Sequence, residues 1–259
     1  MATRADTRLP YGVGQAGARF FLLVAGLLVL VGLGAYAYTR QLVEGEAVTG
    51  LRDIGTMGGA PWGLYVAFVI YFVGVSFAGI TVAALIRILN LEHLRPVSRM
   101  AEVLTVLALV LGAMSVIVDL GQPGLGIVNL FLYARPQSPF FGTFSLVISG
   151  YLVASMVYLY LESRKDAALC ARVPGRLQWF HRLWAAGYKD TRGQTERHLR
   201  ASWWLSLFII PLLVTAHSTL GFVFGLQVGA FGWYGAFQPP EFLLLAGVSG
   251  IGLLIVIAA

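Results

Sequence analysis

Cysteine is almost absent: Cys170 is the only one in 259 residues. A single thiol excludes an internal disulfide framework. No CxxC, CxxCH or Cys/His ligand spacing occurs either, which argues against zinc, iron–sulfur and c-type haem sites within the chain. Charge is scarce too. Only 12% of the residues are Asp, Glu, Lys or Arg, about half the ~25% typical of soluble domains. With 58% hydrophobic residues and a mean hydropathy of +0.78, the chain has too little polar surface to face water. The formal net charge of +6 and pI near 9.7 do not point to nucleic acid as a partner, because the basic residues lie between apolar runs.

What is abundant is long apolar sequence. Six runs stand out, at 19–39, 62–88, 99–120, 140–161, 202–227 and 241–259. A helical span needs about 20 predominantly apolar residues, and helices satisfy their own backbone in lipid. The fold class expected is therefore an all-α, polytopic helix bundle embedded in the membrane, with residues 1–259 as a single transmembrane domain. Glycines recur in the runs (Gly26, Gly32, Gly34, Gly74, Gly79, Gly221, Gly225), as membrane helices tolerate. The last run is apolar to the final alanine and carries no interfacial anchor, which predicts further spans beyond it.

Of the 18 Lys and Arg residues, all but Arg40, Arg52 and Arg135 fall at the N-terminus, the second-to-third connection or the fourth-to-fifth connection. The positive-inside rule places these segments, and so the N-terminus, in the cytoplasm. Ala35-Tyr36-Ala37 after an arginine-flanked apolar stretch mimics a signal peptide. The stretch is longer than the usual 7–15 residues, so it reads as a retained span. Gly12-Val13-Gly14-Gln15-Ala16-Gly17 matches GxGxxG but follows no strand and fails the dinucleotide test. Residues 162–200 form the one long polar connection. Leu177, Trp179, Phe180, Leu183, Trp184 and Tyr188 interleave there with Arg and His, as in an amphipathic helix lying at the inner interface, the alternative being a docking surface for a cytoplasmic partner.

Ionisable residues inside spans are functional candidates by default. Asp119 closes the third run. Glu102 sits near its start, where pairing with Arg99 accounts for it. His217 lies about 24 Å from the inner end of the fifth run at 1.5 Å per residue. Asp119 and His217 thus share a depth range toward the outer face and are expected to line one pocket. Thr215, Ser218 and Thr219 surround His217, and Pro211 precedes it. Of four histidines, His93, His181 and His198 fall in loops, so His217 alone cannot make a bis-histidine haem site.

Several motifs carry a family resemblance. Gly59-Ala60-Pro61-Trp62-Gly63-Leu64-Tyr65 opens the second run, and Phe77-Ala78-Gly79 lies within it. Asp119-Leu120-Gly121-Gln122-Pro123 ends the third, followed by Asn129-Leu130-Phe131 and Arg135-Pro136-Gln137-Ser138-Pro139. His217-Ser218 and Phe237-Gln238-Pro239-Pro240 complete the set. In this order and spacing the sequence resembles the NrfD-like family, the polysulfide reductase membrane subunits, over residues 59–245. It looks closest to the branch found in alternative complex III and sulfur-metabolism complexes. The resemblance implies a haem-free, quinone-binding subunit in the cell inner membrane. It implies a periplasmic, ferredoxin-like iron–sulfur partner and a molybdopterin-type or multihaem cytochrome subunit beyond it. Some relatives carry histidine where this chain has Phe77 and arginine where it has Gln122.

The resulting expectation is a quinol site near the periplasmic face, taking menaquinone or ubiquinone. Asp119 accepts protons there, and His217 is a ring-oxygen partner or second relay. Tyr65, Trp62, Asn129 and Ser218 line the pocket, although Trp62 and Tyr65 equally suit an interfacial aromatic belt. Arg135 holds the partner subunit or is a solvated loop charge. Rival readings are a proton-translocating or transporter module and a passive membrane anchor.

Overall fold

The computed structural model describes residues 16–50, 63–133, 135, 137, 145–226 and 234–259. Among these, every regular element is helical. The helices are α1 (Ala18–Glu44), α2 (Leu64–Ile88), α3 (Arg95–Asp119), α4 (Pro123–Tyr133), α5 (Ser145–Cys170), α6 (Gln178–Ala185), α7 (Arg192–Gly225) and α8 (Gln238–Ala258). Six of them are long and apolar enough to cross a membrane: α1, α2, α3, α5, α7 and α8. The six expected spans are therefore present in a polytopic all-α chain.

Their ends differ from the apolar runs in an informative way. Helix α5 continues nine residues past Leu161, and α7 starts at Arg192, ten residues before its run. Hydropathy marks the stretch inside hydrocarbon, whereas a helix continues while its residues are good helix formers. Glu162, Arg164, Lys165, Ala167 and Ala168 are of that kind. The short helix α4 falls where a connection was expected. Its 11 residues reach about 16 Å, too short to span. Pro123 at its start explains it, since proline suits the first turn of a helix.

The chain divides into two compact units. One comprises Met1–Arg40 and Tyr160–Ala201, the other Gln41–Leu159 and Ser202–Ala259. In the larger unit α2 packs against both α3 and α8. The α2–α3 turn is a Schellman motif. Asn90 takes the left-handed conformation (φ 53°), Asn90 N donates to Arg87 O at 3.1 Å and Leu91 N to Ile86 O at 2.8 Å. At the other end of α3, Gly121 (φ 66°) turns the chain directly into α4. The Asp119-to-Pro123 motif is thus a turn-forming device between α3 and α4.

Two glycine classes separate. A Cβ on Gly79 would lie 2.8 Å from Ala101 O, and one on Gly221 would lie 2.6 Å from Pro239 Cα. These glycines let α3 approach α2 and α8 approach α7 at backbone distance. Gly26, Gly32 and Gly34 on α1 have no neighbour within 4 Å.

In the smaller unit α6 is held against the end of α5. Arg164 Nε donates to Ala185 O at 2.8 Å and its Nη2 to Ala186 O at 2.7 Å. Trp184 Nε1 donates to Ser163 Oγ at 2.8 Å, and Gln178 Nε2 to Ala171 O at 3.0 Å. Ala186 and Gly187, both at positive φ, stop the helix. The amphipathic stretch expected within 162–200 is helical here as α6.

Candidate functional site

The larger unit buries three polar groups of residues at different depths. The first is charged. Glu102 of α3 is buried, and its carboxylate accepts from Arg87 Nη2, from Ser98 Oγ at 2.9 Å and from Arg99 Nη1 at 3.4 Å. Arg87 of α2 also donates to Ser202 Oγ of α7 at 3.2 Å and lies over the Tyr158 ring of α5, 5.4 Å from its centroid. Tyr158 and Ser206 share a hydrogen bond at 2.9 Å. Four helices therefore converge on one ion pair. The expected Arg99–Glu102 pair exists, but Arg87 makes the closer contact.

The second group surrounds His217. The ring is fully buried, packed against Phe77 at 4.8 Å and Tyr151 at 5.5 Å between centroids, with Phe242 beyond. Its Nδ1 lies 2.9 Å from Leu213 O and its Nε2 lies 2.8 Å from Val73 O. A neutral imidazole carries one N–H and donates to only one of these carbonyls. Only the imidazolium donates to both. Tyr151 donates to Ser76 O at 3.1 Å, and Thr105 Oγ1 lies 3.3 Å from the same oxygen. Between the two groups, Ser155 of α5 is buried, and its hydroxyl has no hydrogen bond of standard geometry among the described residues.

The third group sits at the Asp119 end of α3. Gln41, buried at the close of α1, accepts from Tyr65 OH at 3.1 Å and donates to Val118 O at 3.4 Å. Gln41 thereby joins Tyr65 to the residue preceding Asp119. Asp119 itself is half-buried.

These contacts fix the depths of the expected site residues. A Cβ on Gly112 would meet Val73 Cγ2 at 3.4 Å, so Gly112 on α3 lies level with the carbonyl that holds His217. Asp119 is seven residues further on, about 10 Å along the helix. His217 and Asp119 thus lie about two turns apart in depth, and Asp119 is not among the partners of His217. Ser218 is half-buried, Asn129 is exposed on α4 and Arg135 is exposed. Trp62 and the start of its motif lie outside the described residues. Helix α7 runs unbroken through Pro211.

Gln41, Arg87, Ser76, Tyr151 and Tyr158 were not singled out from sequence. A signal existed for some of them. Tyr151, Ser155, Tyr158 and Glu162 follow each other at helical spacing, as do Ser98, Glu102 and Thr105. Polar residues three and four apart in a membrane helix share one face.

This arrangement can be set beside known proteins. The profile of the family described as Polysulphide reductase, NrfD matches residues 53–259. The chain belongs to the NrfD family. Among its relatives is a putative dimethyl sulfoxide reductase membrane subunit of Halobacterium salinarum. It is 30% identical over 93% of this chain and 51% of the relative. A selenate reductase subunit of Mesobacillus selenatarsenatis is 26% identical over 92% of this chain and 55% of its own length. An Hdr-like menaquinol oxidoreductase integral membrane subunit of Archaeoglobus fulgidus is 24% identical over 92% of this chain and 50% of its own. The chain spans about half the length of these curated relatives. Membership of this family and the six spans make it a multi-pass membrane protein.

Proposed function

We propose that this NrfD-family chain is the quinone-binding membrane subunit of a multi-subunit oxidoreductase, with the quinol site at the Asp119 end of the larger unit. The observation that carries the reading is the Tyr65–Gln41–Val118 chain of hydrogen bonds beside Asp119. It brings a phenol and an amide to the backbone of the residue that precedes Asp119. The phenol and the amide can exchange these hydrogen bonds for bonds to the two oxygens of a quinone ring, and the Asp119 carboxylate is a base for its reduced form. The Archaeoglobus relative, an Hdr-like menaquinol oxidoreductase integral membrane subunit, favours the same chemistry.

Bound quinol supplies two electrons and two protons. Electrons leave through an iron–sulfur partner subunit, which hands them on within the complex, to a molybdopterin-type or multihaem cytochrome subunit. Asp119 takes up a proton at its carboxylate, at a half-buried position open to exchange. Tyr65 and Gln41 orient the ring oxygens. His217, with both ring nitrogens engaged by carbonyls, serves as a relay deeper in the unit and not as a ring-oxygen partner. The positive-inside pattern supports a periplasmic Asp119 end for a chain in the cell inner membrane.

The assay is quinol oxidation by the intact complex. Asp119→Asn should lower turnover by about 10²–10⁴, the usual worth of a general base, while Tyr65→Phe weakens quinone-analogue binding. Normal turnover and normal analogue binding in both variants would refute the site, and would leave the chain a passive anchor.

A specific observation favours a second reading, proton translocation. The buried groups form a polar column through the larger unit: Arg87 and Glu102, Tyr158 and Ser206, Ser155, then Tyr151, Ser76 and His217. From Ser202 to His217 it extends about 22 Å along α7. Ser155 lies one turn from both Tyr151 and Tyr158 on α5. In this reading Tyr151→Phe and Ser155→Ala abolish proton uptake in vesicles while quinol oxidation continues. Coupled loss of both activities, or loss of neither, would count against it.

A further inference from the structure

We propose that α6 and the cations around it form a binding surface for anionic phospholipid headgroups, on the membrane face where α5 and α7 emerge. The first argument is depth. Trp184 is tied to Ser163 and Arg164 to the end of α6. Ala167 and Ala168 pack with Ala185 and Tyr188. Helix α6 therefore lies level with residues 163–168 of α5. That is two to seven residues past the apolar run ending at Leu161, or about 3–10 Å at 1.5 Å per residue. The headgroup layer on each side of a bilayer is about 5–8 Å thick, so α6 sits within it.

The second argument is the exposed face. With Trp184 and Ala185 turned inward, Trp179 (66% exposed) and Leu183 (70% exposed) project outward one turn apart. Leu177 precedes them, 56% exposed. A tryptophan and two leucines without protein cover suit the boundary between acyl chains and headgroups.

The third argument is charge. Arg172, Arg176, Arg182, Lys189, Arg197 and Arg200 are exposed. Three acids of the same unit are engaged elsewhere, and Asp166 is half-buried. Glu162 is buried 3.9 Å from His198 Nε2, and Glu196 pairs with Arg192 at 3.1 Å. Asp190 accepts from Thr195 Oγ1 at 3.0 Å and Tyr188 OH at 3.3 Å. The surface left outward is cationic around an apolar ridge. Polybasic attraction plus shallow apolar insertion are the two signals that together give stable attachment to anionic lipid.

The test uses the intact complex in lipid nanodiscs, of phosphatidylcholine alone or with one third phosphatidylglycerol. Amide hydrogen exchange of residues 177–188 should slow about tenfold with phosphatidylglycerol, as expected when basic residues meet an anionic surface. Arg176→Glu with Arg182→Glu should abolish that difference while exchange around His217 stays unchanged, which shows the fold is intact. Equal exchange in the two lipids would overturn the proposal. So would equal protection in detergent whenever the partner subunits are bound, because the occupant would then be protein.

Discussion

Removing the carboxylate of Glu102 should be the most damaging single truncation in the larger unit. Glu102 has a side chain with no exposure, and Arg87 beside it is 18% exposed. Glu102→Leu takes from the Arg87 guanidinium, set among Ser98, Ser202 and the Tyr158 ring, the carboxylate it contacts. Breaking a buried pair from one side costs about 3–5 kcal/mol. Arg99, 34% exposed, adds little, because a partly solvated partner is worth about 0–1 kcal/mol. Arg87→Met should cost a similar amount by stranding the carboxylate. The double variant removes both charges and fills the space with apolar atoms. It should therefore recover much of the loss, giving a coupling energy of roughly 2–4 kcal/mol between the two sites. The assay is reversible unfolding in mixed dodecylmaltoside and SDS micelles, followed by tryptophan fluorescence, on the four proteins of the cycle. Losses that simply add, within about 0.5 kcal/mol, would refute the view that Arg87 and Glu102 act as one unit.

Gly79→Ala should destabilise by about 1–3 kcal/mol in the same assay, because the new methyl meets Ala101 O at 2.8 Å and overpacks α2 against α3. Gly26→Ala on α1, with nothing within 4 Å, should be neutral or slightly stabilising through helix propensity. Arg164→Met removes two charged hydrogen bonds to the C-terminal carbonyls of α6, and should speed amide exchange over residues 178–186 by at least about tenfold. Asp190 is held below the usual carboxylate range, first by the Thr195 hydroxyl, with Lys165, Tyr188 and Arg172 assisting. A depressed carboxylate stabilises the fold above its ordinary titration range, and that contribution is lost as pH falls through the folded value. Thr195→Val should move the Asp190 midpoint upward in a carboxyl-selective NMR titration, so that acid weakening of the α6–α7 turn begins at higher pH.

The spans were legible because membrane hydropathy is a one-dimensional signal. A run of apolar residues reports the hydrocarbon layer whatever packs against it. The same signal is blind to where a helix ends in water, which is why α5 and α7 overran their runs by nine and ten residues. It is equally blind to which glycine is crowded. Gly79 and Gly26 sit in similar apolar sequence, yet only Gly79 meets a neighbouring backbone. His217 and Asp119 stood out because ionisable residues in lipid are few. Their relative depth needed the α2–α3 register, which rests on Gly112 facing Val73. Gln41 was not readable at all. Nothing local marks a glutamine at the end of a span as the residue that joins Tyr65 to α3.

The placement of His217 bears on how the two proposed activities divide the chain. A ring whose two nitrogens face Val73 O and Leu213 O has no nitrogen left for a ligand, so the histidine cannot both keep these contacts and bind a quinone oxygen. Its protonation instead decides whether it donates to one of these carbonyls or to both, and Val73 O also accepts Ser76 Oγ at 2.6 Å. Deprotonation therefore releases a contact between α2 and α7 or within α7, next to Ser76 and Tyr151. Chemistry at Asp119 and proton occupancy at His217 then meet through about 10 Å of helix, with no shared ligand. The division has a direct consequence for variants. His217→Gln carries both of its donor hydrogens on one nitrogen and so cannot reproduce a ring whose two nitrogens face carbonyls on opposite sides. It should leave quinone-analogue affinity at the Asp119 end within about twofold while it lowers proton uptake, the separation expected of a relay that lies outside the binding shell. Loss of analogue binding in His217→Gln, with the fold intact by hydrogen exchange, would instead join the two residues in one pocket and overturn the division.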